Sequence, residues 1–239
     1  MHCLDLTLPT PEENLALDEA LLLEAEHGNG GEVLRLWESP TPFVVVGIGA
    51  NVQCEVHWEQ CQAHHITVFR RCSGGGTVVQ GPGCLNYALI LRIPDAEPLS
   101  SIHGTNRFIM EQNAAVIRWL KNAEVTVQGY TDLVFEERKV SGNAQRRLKR
   151  HLLFHGTFLL NFDVEQITRL LRLPALQPAY REQRSHAEFV GNLGASPSAV
   201  KRAMCDAWNA RQSLTEWPSD RVRALVAERY SQAAWNLRR

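Results

Sequence analysis

The run Leu152-Leu153-Phe154-His155-Gly156-Thr157-Phe158-Leu159-Leu160 most constrains what this chain can fold into. Two apolar triplets flank a polar one, and Leu152 to Asn161 reads as a strand that must be buried. An unpaired polar group in a core costs roughly 1–3 kcal/mol, so His155, Gly156 and Thr157 need a reason to be there. Gly156 admits a close neighbour. A histidine satisfied by backbone carbonyls is the commoner explanation for a single such residue; a place in a functional site is the other.

The remaining segments assemble around that strand in mixed order. Glu12 to His27 reads as an amphipathic helix with Leu15, Leu17, Ala20, Leu21 and Leu22 as its apolar stripe, ended by Gly28-Asn29-Gly30-Gly31. Val33–Trp37 and Phe43–Val46 read as two strands joined across Ser39-Pro40-Thr41-Pro42. Val52–His64 reads as helical, Ile66–Arg70 and Asn86–Ile93 as strands, and Ile102–Leu120 as a long helix. Shorter strands are expected at Val125–Gln128 and Leu133–Phe135, and helices at Val164–Leu173, Ser198–Leu214 and Ser219–Ala233. Pro174–Ser185 reads as a long loop. The strands are not spaced as regular βαβ units, so the expected class is α+β, with helices packed on a mixed, largely antiparallel sheet.

A chain of 239 residues can bury one sizeable core, and 1–239 reads as a single domain without a separate C-terminal accessory domain. With 44% hydrophobic and 21% charged residues it is neither disordered nor fibrous. A net charge of -1 provides no general basic field for nucleic acid, so no nucleic-acid partner is expected. The local run Arg146, Arg147, Lys149 and Arg150 reads either as a mobile cationic loop or as a docking patch for an acidic carrier beside Lys139. Met1–Thr10 carries no basic segment followed by an apolar stretch, and no segment approaches the roughly 20 apolar residues of a membrane span. A cytoplasmic location without membrane contact is the expectation. Six cysteines without CxxC pairs fit a reduced compartment, and no protein metal ligands stand out.

Two further segments carry candidate chemistry. In Arg70-Arg71-Cys72-Ser73-Gly74-Gly75-Gly76-Thr77 a strand runs into three consecutive glycines, whose amides can approach an anion or a bound chain closely. An adjacent arginine would add a charge-assisted contact to a carboxylate or phosphate; a flexible hairpin with a solvated arginine pair is the plain alternative. The run lacks the Lys-Ser or Lys-Thr ending of a phosphate-binding P-loop. In Lys139-Val140-Ser141-Gly142-Asn143-Ala144, a lysine beside a small loop can polarise an acyl carbonyl or neutralise an α-phosphate. Following Glu136-Glu137-Arg138, it also reads as a solvated turn.

In this order and spacing the three segments resemble the lipoate-protein ligase A family, with its Arg-Arg-x-Ser-Gly-Gly-Gly loop, Lys-x-Ser-Gly-Asn/Ser-Ala loop and His-Gly-Thr strand. Gly47 to Asn51 and Thr131-Asp132-Leu133 resemble two further family steps, and the likeness runs from Asn14 to Asn161. It implies a class II biotin/lipoate ligase-like catalytic domain. It also implies that Arg70, Arg71, Ser73, Gly74, Gly75, Gly76, Thr77, Asp132, Ser141, Gly142, Asn143, Ala144, His155, Gly156 and Thr157 bind substrate and adenylate, with Lys139 as the catalytic residue at the reacting carboxyl. The implied chemistry joins lipoate or octanoate to ATP, with Mg2+, as an acyl-adenylate and passes the acyl group to a lysine of a lipoyl-domain or glycine cleavage H-type carrier.

Departures from the ligase pattern keep a second activity in view. Gln80, Gly81 and Cys84 stand where such ligases carry His, Asp and Asn, and Gly81-Pro82-Gly83 resembles an octanoyltransferase stretch. That alternative works without ATP through an acyl-enzyme thioester, or else the chain is a non-catalytic lipoate-binding homologue. In the Asp-Leu-Cys-Phe segment that supplies one transferase group's cysteine, this chain has Val134, which leaves Cys84 as a candidate nucleophile. Only about 80 residues follow His155-Gly156-Thr157, so either an accessory function is expected on a separate protein or the chain performs only part of the reaction. The Gly-Arg-Gly-Arg-x-Gly-Arg loop of biotin ligases is absent.

Overall fold

The computed structural model describes residues 1–238, within which every element below lies. The strands are β1 (His2–Asp5), β2 (Val33–Trp37), β3 (Phe43–Val46), β4 (Val68–Arg70), β5 (Val78–Gln80), β6 (Cys84–Arg92), β7 (Thr126–Gln128), β8 (Asp132–Phe135), β9 (Arg138–Arg147), β10 (His151–Leu159) and β11 (Gln212–Ser213). The helices are α1 (Pro11–His27), α2 (Val52–Glu55), α3 (Trp58–Ala63), α4 (Ile102–Lys121), α5 (Glu165–Leu170), α6 (His186–Phe189), α7 (Pro197–Ala207), α8 (Ser219–Leu225) and α9 (Ala233–Asn236). A 3-10 turn spans Ala179–Arg181, and a π-helical turn over Val226–Tyr230 extends α8.

Eight strands form one sheet in the order β11-β1-β2-β6-β10-β9-β8-β7, and β4-β3-β5 form a second. In the large sheet only the pairs of β1, with β2 and β11, are parallel. The period-two alternation of a strand explains the polar triplet of β10. Leu152, Phe154 and Phe158 point into the core beneath α4 and α7, together with Ile109, Met110, Val200 and Met204. Leu153 faces the opposite side, where α1 and α8 supply Leu17, Leu21, Val222 and Leu225. His155 and Thr157 share that second face, so the triplet does not interrupt the main core.

Several sequence expectations change here. Helix α1 begins on a Thr10–Glu13 capping box with Pro11 in its first turn, and ends at Gly28 with φ 86°. It is not an amphipathic surface helix, because every residue from Asn14 to Leu22 is buried between the large sheet and the C-terminal helices. Val33–Trp37 and Phe43–Val46 are both strands, as expected, but they do not pair: Phe43–Val46 crosses into the small sheet between β4 and β5. Val52–His64 divides into two short helices, with Val56 paired to Leu171 between them. Lys139 to Ala144 is strand, not loop, because β8 and β10 pair with it on both sides.

Candidate active site

One row of side chains runs across the large sheet: Trp37 on β2, Asn86 on β6, Thr157 on β10, Gly142 on β9 and Asp132 on β8 are successive register partners. All five line a cavity of about 420 Å³ on the α1 side. The glycine loop, through Arg71, Gly75, Gly76 and Thr77, and the residues Asn143, Ala144, His155 and Gly156 complete much of its wall. A second cavity of about 260 Å³ shares Gly76, Thr77, Asp132, Lys139, Gly142 and Thr157 with the first, and adds Ser141, Glu55, Arg172, Arg181 and His186. Lys139 stands where the two meet. The first is lined by Leu15, Trp37 and Val45 among others, and the second by Leu159, Ile167, Leu171, Phe189 and Val190 together with the cations Arg172 and Arg181.

The Lys-x-Ser-Gly spacing has a steric origin in β9. A Cβ on Gly142 would lie 3.1 Å from Lys139 Cε and 3.2 Å from Nζ, so glycine leaves the lane along which the lysine reaches the cavity. Lys139 Nζ sits 2.8 Å from Asp132 Oδ1, and the Tyr180 hydroxyl donates to Asp132 Oδ2 at 2.7 Å. Burial, with the Asp132 carboxylate next, holds the Tyr180 phenol in its neutral form by raising its pKa. A Cβ on Gly156 would collide with Asn143 Oδ1, and that oxygen accepts from Tyr87 Oη at 2.6 Å. His-Gly-Thr and Ser-Gly-Asn are therefore complementary halves of one cross-strand contact.

The glycine loop is fixed from beneath. Arg71 Nη2 donates to the carbonyls of Gly74 at 2.6 Å and Gly76 at 2.8 Å, while its Nε reaches Ser73 Oγ at 3.1 Å. Burial brings its pKa down to about 10, which still leaves it a cation at neutral pH. Ser73 Oγ lies 2.5 Å from His155 Nε2, and His155 Nδ1 lies 3.3 Å from Asp18 Oδ2. Asp18 in turn pairs with fully buried Arg35 at 2.5 Å. A chain of contacts thus connects the helix α1 core to the loop.

The catalytic domain of lipoyl protein ligases A and B matches residues 10–205 of this chain. The chain belongs to the lipoyl protein ligase A/B family. Lipoate-protein ligase 1 of Staphylococcus aureus is 28% identical over 239 residues, covering 95% of this chain and 70% of that protein. Octanoyltransferase LipM of Halalkalibacterium halodurans is 27% identical over 269 residues, covering 96% and 95%. Among solved structures, lipoate-protein ligase A bound with ATP superposes with a TM-score of 0.84 at 23% identity, covering 99% of this chain and 98% of that one. A bi-partite lipoate protein ligase from Thermoplasma acidophilum, described with its E2 lipoyl domain, gives the same TM-score and identity over 99% and 95%. The α+β fold is that of lipoate-protein ligases, and the homologues are enzymes.

Within this family member some expected site residues lie away from both cavities. Arg70, fully buried, donates to the carbonyls of Gly47 and Ala50 at 2.8 Å, Trp235 at 3.1 Å and Arg238 at 2.6 Å, so it fastens the C-terminal segment to the Gly47–Ala50 loop. Ser73 and Gly74 support the loop rather than line it. Cys84 is fully buried, lines neither cavity, and burial pushes its thiol up to about 12. Cys84→Ser is expected to leave acyl transfer within about twofold of the parent, and iodoacetamide at pH 8 to label exposed Cys54 but not Cys84 in the folded protein. An acyl-enzyme mass lost on that substitution would refute this.

The basic run also moves. Arg146 pairs with Glu19 at 2.6 Å, Arg147 donates to the carbonyls of Leu99 and Ser100, and Arg150 contacts Glu26. The run sits at the far end of β9, eight residues or roughly 26 Å of strand from Lys139. A docking patch beside Lys139 does not form there.

Several residues at or beside the cavities escaped the sequence reading. Asp18 had a readable signal, a carboxylate within the apolar stripe of α1, three residues from both Leu15 and Leu21. Tyr180, Arg181 and His186 come from the long loop and the helix after it, where no periodicity announces direction. His186 accepts from Arg181 Nη2 at Nδ1 and donates from Nε2 to the Arg172 carbonyl, a neutral-ring arrangement in accord with burial lowering its pKa.

Proposed function

We propose that the chain activates lipoate or octanoate with ATP to an acyl-adenylate and transfers the acyl group to a lysine of a lipoyl-type carrier. The observation that carries this reading is the pair of cavities joined at Lys139 with no cysteine in either lining among the described residues. A thioester route needs a thiol at the acyl carbonyl, and none faces it. In the first step a carboxylate oxygen bonds to the α-phosphorus and pyrophosphate leaves. In the second the carrier's neutral amine bonds to the acyl carbon, AMP leaves, and the amine proton is lost. Lys139 lies where the carboxyl and the α-phosphate would meet and offsets the charge that develops on both. Asp132 and Tyr180 hold it there, and Arg172 and Arg181 face the phosphate side.

The described residues contain no cluster of three or more metal-ligating groups. Mg2+ would be carried mainly by the nucleotide phosphates, and Asp132 and Glu55 are the carboxylates of the second cavity that could reach it. The ion would neutralise phosphate charge. A separate accessory protein and a lipoyl-domain carrier belong to this reading, supported by the two-part archaeal ligase and its lipoyl domain. A cytoplasmic location belongs to it too; among the described residues no helix is long and apolar enough to cross a membrane.

Incubation with lipoate, Mg-ATP and a lipoyl domain, with and without an accessory subunit, is expected to yield AMP and a lipoyl amide. Acylation of the domain from octanoyl carrier protein without ATP, with an acyl-enzyme seen by intact mass, would establish the transferase activity that the LipM likeness leaves in view. Neither product under any condition leaves only a binding role.

A further inference from the structure

Two thiols that belong to neither cavity meet beneath the large sheet. Cys3 on β1 and Cys205 on α7 are separated by 202 positions, yet their Sγ atoms lie 3.1 Å apart. Both pack against the core under α4 and α7, whereas the first cavity lies on the α1 side of the sheet. Among the described residues no other two cysteine sulfurs are in contact. Covalently bonded sulfurs stand about 2.05 Å apart, so the pair has only about 1 Å to close.

Access and ionisation single out the same pair. Cys3 and Cys205 are half-buried, within reach of a small solute, while Cys61, Cys72 and Cys84 are buried. The thiolate is the reactive form of cysteine. Burial pushes the Cys72 and Cys84 thiols up, to about 11 and about 12. At Cys3 a hydrogen bond donated by the Cys205 thiol, with a smaller contribution from Lys201, outweighs burial and the Asp5 carboxylate and holds the pKa below the ordinary cysteine value. Lys201 stands one turn before Cys205 on α7, anchored to Asp5 Oδ1 at 2.9 Å and Glu38 Oε1 at 3.0 Å.

We propose that Cys3 and Cys205 are a modification site, a dithiol that a small peroxide converts to a reversible disulfide tying β1 to α7. The Cys3 thiolate attacks one peroxide oxygen, the O–O bond breaks, and Cys3 becomes a sulfenic acid while the departing hydroxide takes up the proton that Cys3 gave up. The Cys205 sulfur then displaces the sulfenic oxygen. The S–S bond forms, the Cys205 proton goes to that oxygen, and water leaves. Two thiols lose two electrons, and one peroxide is reduced to two waters. The bond closes a loop across 202 positions that encloses nearly all of residues 10–205, the span matched by the family's catalytic domain. A cross-link restrains the unfolded chain more as the loop it closes lengthens, so one bond here restrains most of the protein. The sheet separates it from the first cavity, and in a reducing compartment the pair rests as the dithiol.

The test exposes the full chain to a small molar excess of hydrogen peroxide. The monomer should lose the mass of two hydrogens, digestion without reductant should yield a peptide joining Cys3 to Cys205, and the Tm should rise by about 5–10 °C. Dithiothreitol should reverse all three. Cys3→Ser and Cys205→Ser should each abolish the linked peptide and the rise. If one variant does not fold, the other and the peptide map of the parent protein decide. Iodoacetamide labelling of both Cys3 and Cys205 after peroxide treatment overturns the proposal. So does a linked peptide found only in covalent dimers, or Cys3 driven to sulfinic acid with Cys205 still free. A rise in Tm that persists in either folded serine variant overturns it as well, because the stabilisation then comes from elsewhere.

Discussion

Lys139→Ala is expected to lower kcat/KM for ATP-dependent acyl transfer by about 10²–10³-fold, the usual loss when one group aimed at developing charge is removed. Its stability cost should be small, because the Lys139 side chain is 28% exposed and an accessible ion pair contributes about 0–1 kcal/mol. Arginine should rescue little. The lysine runs along the face of Gly142 with 3.1–3.2 Å to spare for even a Cβ, which leaves no lane for a planar guanidinium. Gly142→Ala should therefore reduce activity in the same direction while keeping the charge. AMP release and intact-mass detection of the modified carrier read the chemistry, and thermal melting reads the fold. A Lys139→Ala protein within fivefold of the parent would remove this residue from the chemistry.

Asp18→Ala should destabilise the protein by about 3–5 kcal/mol, the cost of stranding a buried charge. Arg35 is fully buried and burial lowers its pKa, so its cationic form depends on Asp18 at 2.5 Å and on acceptors from Asn14 and Leu6. Removing both charges, as in Asp18→Leu with Arg35→Met, should cost less than Asp18→Ala alone, since no ion is then left without a partner. Urea unfolding measures this as a fall in midpoint at unchanged slope. The single variant should also raise KM for the acyl substrate, because His155 loses its Asp18 contact and the glycine loop its support through Ser73. A stability loss below about 1 kcal/mol would show that the pair contributes little beyond its neighbours.

Arg70 and Arg71 show where local reading stops. The sequence treats them as an equivalent pair at the mouth of a glycine loop. A strand sends successive side chains to opposite faces, so a shift of one residue decides which faces a ligand. Register with Val46 turns Arg70 toward the C-terminal carbonyls, and Arg71 falls under the loop. The strand nature of Lys139–Ala144 was equally hidden. Serine, glycine and asparagine have poor intrinsic strand preference, and pairing on both edges overrides it.

What the amino-acid sequence by itself determined was whatever depends on neighbours along the chain. This includes the helix stopped by Gly28, the strand that runs on into the glycine loop, the lysine three residues before Gly142, and the alternation that puts His155 and Thr157 on one side of a buried strand. Those backbone constraints are local, so the motif and the family likeness they carry were legible at once. Tertiary structure alone decided which of these groups share a cavity. Asp18 meets His155 137 positions away, and Tyr180 meets Asp132 across 48. Those pairings depend on sheet order and register, and residue spacing carries no record of either.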